Sequence, residues 1–173
     1  MESEGYANRQ PDDSCVAYWD DSGACWTCGY GTTGEDIVQS THWTRDEAQS
    51  QLLTRWNEAQ QGVLRASPIL GQAENYNRLE AVTDFAYNEG VGRYQGSSLR
   101  AYVDRQSWLQ AADEFPKWDL AGGKVLAGLV KRRARERTLF LSPVGNSAQT
   151  PQPASSPISF GTLLREFFRS LFG

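Results

Sequence analysis

Acidic side chains close to a predicted turn are the residues of this sequence with the clearest potential for chemistry. Glu4 precedes a glycine near the start of the chain, Asp20 and Asp21 are adjacent, and Thr27 follows shortly after them. Two carboxyl groups facing each other across a groove can break a glycosidic bond: one donates a proton to the leaving oxygen, and the other, ionised, activates water or stabilises positive charge. A threonine hydroxyl can help to hold that water. Acids at turns are common on protein surfaces, so the spacing alone is weak evidence.

The spacing of the cysteines and of the single histidine gives little support for metal, redox or nucleophilic chemistry. Cys25 and Cys28 have the C-x-x-C spacing of zinc and redox sites. A zinc site needs four ligands, whereas His42 stands alone, and a thioredoxin-like pair begins a helix, whereas Gly-Tyr-Gly follows here. The sequence has no G-x-S-x-G element for a nucleophilic serine. We expect no metal and no cofactor, and one disulfide that joins Cys15 to Cys25 or to Cys28 in an oxidising compartment.

The sequence pattern places a short region of strands before a long series of helices. Residues 15–33 are rich in aromatic residues and glycine and carry turn signals, which predicts a small hairpin sheet. Thr44 and Glu47 form a capping box that predicts a helix start, and apolar residues at helical spacing continue to about residue 64, before a Ser-Pro pair. The same reasoning predicts further helices over about 75–89, 98–104, 107–118 and 124–141.

The C-terminal part of the chain differs in composition from the rest. Residues 142–159 contain four prolines and few bulky side chains, which predicts a linker without a core. In residues 160–173, apolar side chains recur at helical spacing from Phe160 to Phe172, with Arg165 and Arg169 on the other side. This pattern predicts a cationic amphipathic helix that binds a membrane or lipopolysaccharide surface, or a partner protein; the alternative is that it packs back onto the main domain.

Length and charge limit the class of protein. A chain of 173 residues suits one globular domain with an appendage, and a formal net charge of −4 argues against a nucleic-acid binder. The sequence has no apolar run long enough to span a membrane and lacks the basic, apolar start of a secretory signal. We therefore expect synthesis in the cytoplasm without export through a signal peptide.

Several motifs occur in the order found in one protein family. Ser-Glu-Gly at 3–5, Ala-Tyr-Trp-Asp at 17–20 and Trp-Thr-Cys-Gly-Tyr-Gly at 26–31 are followed by TRDEAQSQL, AVTDFAYNEGVG and KWDLAGGKVLAGLVKRRARERTLFL. Over about residues 3–141 the sequence resembles the phage lysozymes of glycoside hydrolase family 24. The resemblance implies an α+β, mostly α fold, in which a small lobe with a three-stranded β-hairpin sheet and a larger helical lobe enclose a saccharide cleft. It divides the chain into a catalytic domain at 1–141, the linker at 142–159 and the amphipathic helix at 160–173.

The same resemblance assigns the site residues. Glu4 corresponds to the general acid, and Thr27 to the threonine beside the attacking water. For the second carboxylate, the spacing from aspartate to threonine in the family selects Asp21, which we favour, whereas counting forward from Ala-Tyr selects Asp20. The positions that resemble substrate contacts of the family are Thr33, Phe85 and Ser98. Phe85 also lies on the apolar stripe of its helix, so a place in the core suits it equally well.

Three departures from the family pattern are visible. The stretch between Glu4 and Tyr18 is about seven residues longer than usual, which predicts an extra loop at the edge of the cleft that Cys15 pins down. Thr32 occupies the position where a histidine commonly follows Gly-Tyr-Gly. Only three residues precede Glu4, so the general acid would lie close to a chain end that frays unless packing holds it.

The function implied by the resemblance is that of an endolysin, a bacteriolytic muramidase acting on peptidoglycan. It would hydrolyse the β-1,4 bond between N-acetylmuramic acid and N-acetylglucosamine, as a monomer and without a cofactor. We expect it to reach the periplasm and cell wall through a holin-type pore in the inner membrane of the host. The alternatives are a lytic transglycosylase, which needs one acid and no water-holding aspartate, and a non-catalytic wall-binding or virion structural protein on the same fold.

Overall fold

A computed structural model describes residues 8–21 and 24–143 of the protein. Glu4, the predicted linker beyond residue 143 and the predicted helix at 160–173 lie outside the described residues. The described chain contains a small lobe of short strands and a larger lobe of helices, which confirms the predicted fold class. In these ranges no helix is both long enough and apolar enough to cross a membrane.

The small lobe contains two antiparallel sheets. A three-stranded sheet has the order β2-β3-β4, and a separate pair joins β1 to β5. Gly31, with a φ of +81°, allows the sharp connection from β3 to β4 that the Gly-Tyr-Gly motif predicts. The strands are β1 (Cys15–Val16), β2 (Tyr18–Asp20), β3 (Cys25–Cys28), β4 (Thr32–Thr33) and β5 (His42–Trp43).

Strand register decides which side chains of this sheet share a face. Tyr18 lies opposite Thr27, Asp20 opposite Cys25, and Thr27 opposite Thr33. Since side chains alternate along a strand and directly paired residues point to the same side, these five side chains project from one face. The opposite face carries the edge-to-face pair of Trp19 and Trp26, and Cys28 at its buried end.

The buried face of the small lobe packs against the first helix, α1 (Arg45–Ala66). Cys15, Cys28 and Ile37 form a small core with Ala48 of that helix. Gly29, with a φ of +60°, lies so close to α1 that a Cβ atom in its place would be 3.0 Å from the Cβ of Ala48. The predicted capping box is confirmed, because Thr44 and Glu47 exchange side-chain and backbone hydrogen bonds at the start of α1.

The large lobe is built around α1 and α2, with α6 packed on α2. Its helices differ from the predictions near residue 120, where Gly122 and Gly123 take positive φ and turn a short hairpin of β6 (Leu120–Ala121) and β7 (Lys124–Val125). The last helix therefore starts at Ala127 rather than at residue 124. The predicted helix at 107–118 is split into α5 and a 3-10 turn at Phe115–Lys117. The helices are α2 (Tyr76–Glu89), α3 (Val91–Gln95), α4 (Ser98–Asp104), α5 (Trp108–Ala112) and α6 (Ala127–Leu141).

A single α-helix contributes to the cores of both lobes. Ala48 near the start of α1 belongs to the small-lobe core, and Val63 near its end belongs to the large-lobe core. At 1.5 Å per residue, the 22 residues of α1 extend over about 33 Å. The small-lobe sheet is thus positioned relative to α2 mainly through one rigid element.

One acid is buried between α1 and α2. Glu80 is 7% exposed, and its Oε1 accepts a hydrogen bond of 3.1 Å from Nε2 of Gln60. Burial raises the pKa of Glu80 to about 7, although the hydrogen bond from Gln60 opposes the shift. The folded state therefore favours the protonated, uncharged form of this carboxyl group.

Candidate active site

The sheet face that carries Tyr18, Asp20 and Thr27 forms one wall of the candidate site. Thr27 is nearly fully buried, and its Oγ1 lies 3.9 Å from the Sγ of Cys25. Burial raises the pKa of Tyr18, and the charge of Asp20 raises it further. The register therefore brings a carboxylate, a phenol and a hydroxyl together on this wall.

Asp20 and Asp21 occupy different settings. Asp20 is the last residue of β2 and shares the face of Thr27, whereas Asp21 follows the strand and is exposed. The register places Asp20 on the face of Thr27, whereas the motif spacing favours Asp21. The strand pairing runs without interruption from Tyr18 to Asp20, and Asp21 follows in the turn.

A cavity of about 220 Å³ lies between the two lobes. Thr33, one of the predicted substrate contacts, lines it on the small-lobe side, and Tyr87 of α2 lines it on the opposite side. Arg55 of α1 lies at its edge, held by hydrogen bonds of 2.7 and 2.8 Å to the carboxylate of Asp36. The remaining lining residues are Gly31, Thr32, Glu58, Ala59, Ala86 and Val91.

Phe85 is a core residue and does not line this cavity. Its side chain is fully buried, with the rings of Phe115 and Trp118 at 5.8 and 5.1 Å. Two residues along an α-helix are about 200° apart, so Tyr87 points away from the core where Phe85 points into it. The contact between Phe85 and the substrate stays a prediction, and the aromatic residue of α2 that lines this cavity is Tyr87. Helical periodicity, applied to the direction of each side chain, could have identified it.

Ser98 lies in a second depression, of about 340 Å³, in the large lobe. Its hydroxyl donates a hydrogen bond of 2.5 Å to Glu114, and Nζ of Lys117 lies 2.7 Å from the other oxygen of that carboxylate. Burial raises the pKa of Glu114, but the hydrogen bonds from Lys117 and Ser98 outweigh it and hold the pKa below its usual value. The further lining residues, which the sequence did not suggest, are Glu89, Arg93, Trp118 and Leu120.

A buried ionic network holds the last turn of α2, which lies between the two depressions. Arg133 of α6 is fully buried; its guanidinium donates a hydrogen bond to Oδ1 of Asn88 and lies 3.0 Å from the carboxylate of Glu136. Burial, together with the charge of Asp84, raises the pKa of Glu136. The hydrogen bond from Arg133 to Asn88 therefore ties α6 to the last turn of α2.

The three cysteines are free thiols, and two of them are adjacent. The Sγ atoms of Cys15 and Cys28 lie 3.3 Å apart, and both residues are fully buried. Cys25 is partly exposed on the other face of the sheet. Within the ranges 8–21 and 24–143, no group of three or more His, Cys, Asp or Glu side chains is arranged to hold a metal ion.

Comparison with known proteins connects this geometry to one family. The sequence matches the Phage lysozyme family over residues 13–136. It is 36% identical over 132 residues to an endolysin of Bacillus phage B103, an alignment that covers 76% of this chain and 48% of that protein. It is 30% identical over 129 residues to a SAR-endolysin of Enterobacteria phage PA-2, covering 74% of this chain and 75% of that protein. The chain thus spans about half the length of the Bacillus phage relative and three quarters of the enterobacterial one.

A solved structure of P22 lysozyme, determined as a mutant, has the same fold. It superposes on this chain with a TM-score of 0.54 at 30% identity, covering 79% of this chain and 90% of the other. The similarity therefore extends over most of this chain.

Proposed function

Since the chain belongs to the phage lysozyme family, we propose that it is an endolysin that hydrolyses the β-1,4 bond between N-acetylmuramic acid and N-acetylglucosamine in bacterial peptidoglycan. The observation that carries this proposal is the register of β2 and β3, which sets Asp20 and Thr27 on one face of the sheet. The inter-lobe cavity beside that sheet supplies room for a saccharide. Its substrate would be the glycan strand of the wall, bound by a monomer.

The mechanism uses two carboxyl groups in different protonation states. Glu4, by its match to the family motif, would protonate the leaving oxygen. Asp20, ionised, would orient water for attack on the anomeric carbon, and the Thr27 hydroxyl beside it would hold the same water. In such a reaction the positive charge that develops on the sugar is stabilised by the aspartate, so the acid and the base are not interchangeable.

Substrate binding would use the residues that line the two depressions. Thr33 and Tyr87 face each other across the inter-lobe cavity, where a hydroxyl and a phenol ring can accept a sugar. Ser98, with Glu114 and Lys117, offers polar and charged groups farther along the large lobe. Because these groups come from both lobes, a glycan strand would be held across the cleft rather than on one surface.

Replacement of the acid tests the proposal most directly. We expect Glu4→Gln to lower the rate of release of soluble fragments from purified Gram-negative peptidoglycan by at least about a hundredfold, the contribution typical of general acid catalysis. Mass spectrometry of the wild-type products should show reducing N-acetylmuramic acid ends. Anhydro-muramic ends would identify a lytic transglycosylase instead, and equal release by wild type and variant would reject the assignment of Glu4.

The cationic apolar pattern of residues 160–173 supports a second role at a lipid surface. We propose that this segment binds anionic membrane or lipopolysaccharide through its apolar stripe and its arginines, on the tether formed by the predicted linker at 142–159. Deletion of 144–173 should abolish sedimentation with anionic vesicles while leaving peptidoglycan hydrolysis unchanged. Replacement of Phe160, Phe167, Phe168 and Phe172 by serine at full length should have the same effect. Unchanged vesicle binding in both variants would disprove this role.

The route to the wall is proposed from the same family membership. The protein would be made in the host cytoplasm and would act in the periplasm and cell wall after release through a holin-type pore. Expression in a Gram-negative host with and without a coexpressed pore protein tests this route: we expect lysis only with the pore. Lysis at the same time in both cultures would show that the protein reaches the wall by another path.

A further inference from the structure

The pair of buried thiols between β1 and β3 is a feature that the proposed hydrolysis does not use. Cys15 and Cys28 are thirteen positions apart in sequence, and their Sγ atoms lie 3.3 Å from each other. A disulfide has an S–S distance of about 2.05 Å, so the two atoms need to approach by about 1.2 Å. Small rotations of the two side chains can supply a movement of that size.

The third cysteine is on the other side of the sheet. Cys25 and Cys28 are three positions apart in one strand, so their side chains point to opposite faces. Cys25 lies opposite Asp20 and is partly exposed, whereas Cys28 is buried against Cys15. The chain therefore contains one thiol pair that is ready to bridge and one thiol that the sheet itself separates from that pair.

We propose that Cys15 and Cys28 form a disulfide bond when the protein is in an oxidising compartment such as the periplasm, and that Cys25 stays a free thiol. The bond would tie β1 to the strand that carries Thr27 and would close the loop containing Asp20. It would therefore stabilise the wall of the cleft, and its formation does not depend on the reaction proposed there.

The chemistry requires an external disulfide as oxidant, for example oxidised glutathione. One cysteine thiolate attacks this disulfide, forms a mixed disulfide and releases one glutathione thiol. The second cysteine thiolate then attacks the mixed disulfide, which forms the Cys15–Cys28 bond and releases the other glutathione thiol. The two protons lost by the cysteines are taken up by the two released thiolates.

Burial controls how fast this exchange occurs. Burial, together with the hydrogen bond to Cys15, raises the pKa of Cys28 to about 12, so the reactive thiolate is rare in the folded protein. We expect the bridge to form slowly in the folded, reduced protein and at least tenfold faster when the protein refolds in the same redox buffer. In a reducing cytoplasm the pair would remain as thiols.

Peptide mapping of the full chain tests the pairing. The protein is oxidised in a glutathione buffer, both folded and during refolding from denaturant, then alkylated with N-ethylmaleimide and digested with chymotrypsin. Cleavage after the aromatic residues Tyr18 and Trp26 separates the three cysteines, which trypsin cannot do because no lysine or arginine lies between Arg9 and Arg45. We expect linked peptides containing Cys15 and Cys28, with Cys25 carrying the maleimide or glutathione.

Two serine variants supply the matched control. Cys25→Ser should form the same bridge, and its thermal midpoint should rise by about 5 °C on oxidation, as in the wild type. Cys28→Ser should show no rise. A predominant bridge that contains Cys25, the absence of an internal bridge under both oxidation conditions, or an equal rise in midpoint for Cys28→Ser would overturn the proposal.

Discussion

The two adjacent aspartates give the sharpest test of the candidate site, because they differ in setting but hardly in chemistry. Asp20 ends β2 on the face of Thr27, whereas Asp21 lies exposed in the turn. Removal of a general base costs about 10²- to 10⁴-fold in rate, which corresponds to about 3 to 5 kcal/mol of transition-state stabilisation. An exposed charge acts through water, in which two unit charges separated by about 8 Å, one Debye length at physiological salt, interact by only about 0.5 kcal/mol, a factor of about two in rate.

We therefore expect Asp20→Asn to lower peptidoglycan hydrolysis by at least a hundredfold and Asp21→Asn to lower it by no more than about threefold. The substitution is nearly isosteric, so both variants should unfold within a few degrees of the wild type, which thermal denaturation checks. Turbidity clearing of permeabilised Gram-negative cells measures the activity across the required range. A hundredfold loss in Asp21→Asn with activity retained in Asp20→Asn would refute the argument from strand register.

Three further predictions concern positions that the structure distinguishes. The pKa of Glu80 is about 7 in the folded protein and about 4.5 in the unfolded chain, so its contribution to stability is complete below pH 4.5 and is lost as the pH rises through 7. In urea denaturation, Glu80→Gln should therefore have the same free energy of unfolding as the wild type at pH 4.5. At pH 8 its free energy of unfolding should be higher by up to about 3 kcal/mol. Equal stability of the two proteins at pH 8 would contradict this. Gly29→Ala should lose about 2 kcal/mol of stability, because the residue has a positive φ and α1 approaches it closely. Gly31→Ala also has a positive φ but open space around it, so it should lose about 1 kcal/mol. A larger loss for Gly31→Ala than for Gly29→Ala in thermal unfolding would count against the packing argument. Phe85→Leu should lose about 1 to 3 kcal/mol of stability but keep its activity per folded molecule. Tyr87→Ala should raise the substrate concentration needed for half-maximal rate at least fivefold in soluble glycan assays. A raised half-maximal concentration for Phe85→Leu, with none for Tyr87→Ala, would indicate that Phe85 contacts the substrate.

The local signals in the sequence predicted the parts of the fold that depend on local physics. The capping box at Thr44 located the start of α1, and the density of turn residues located the sheet. The hairpin at residues 120–125 was missed because it has only two residues in each strand, and two residues show no periodicity that distinguishes a strand from a helix start. Its Gly-Gly pair was the available signal for a turn.

The candidate site depended on non-local information. Motif spacing identified the pair of Asp20 and Asp21 but could not choose between the two, because the count differs when it runs forward from Ala-Tyr or backward from the threonine. Strand pairing adds the information that Asp20, opposite Cys25, lies on the sheet face that carries Thr27. Phe85 and Tyr87 differ from this case: the apolar stripe of the helix already indicated that Phe85 faces the core, and the packing of α2 on α6 agrees with it.

The stretch before β1, which the motif spacing predicts to be an extra loop, is fixed to the elements that hold the sheet. Ser14 donates a hydrogen bond of 2.6 Å to Asp12, and its Oγ lies 2.8 Å from Nε2 of His42 in β5. Asp13 accepts a hydrogen bond of 2.9 Å from Arg45 at the start of α1. These contacts hold residues 13 and 14 against β5 and the start of α1. The predicted extra loop lies before Tyr18 in the chain, and the pairing of β2 with β3 runs without interruption from Tyr18 to Asp20.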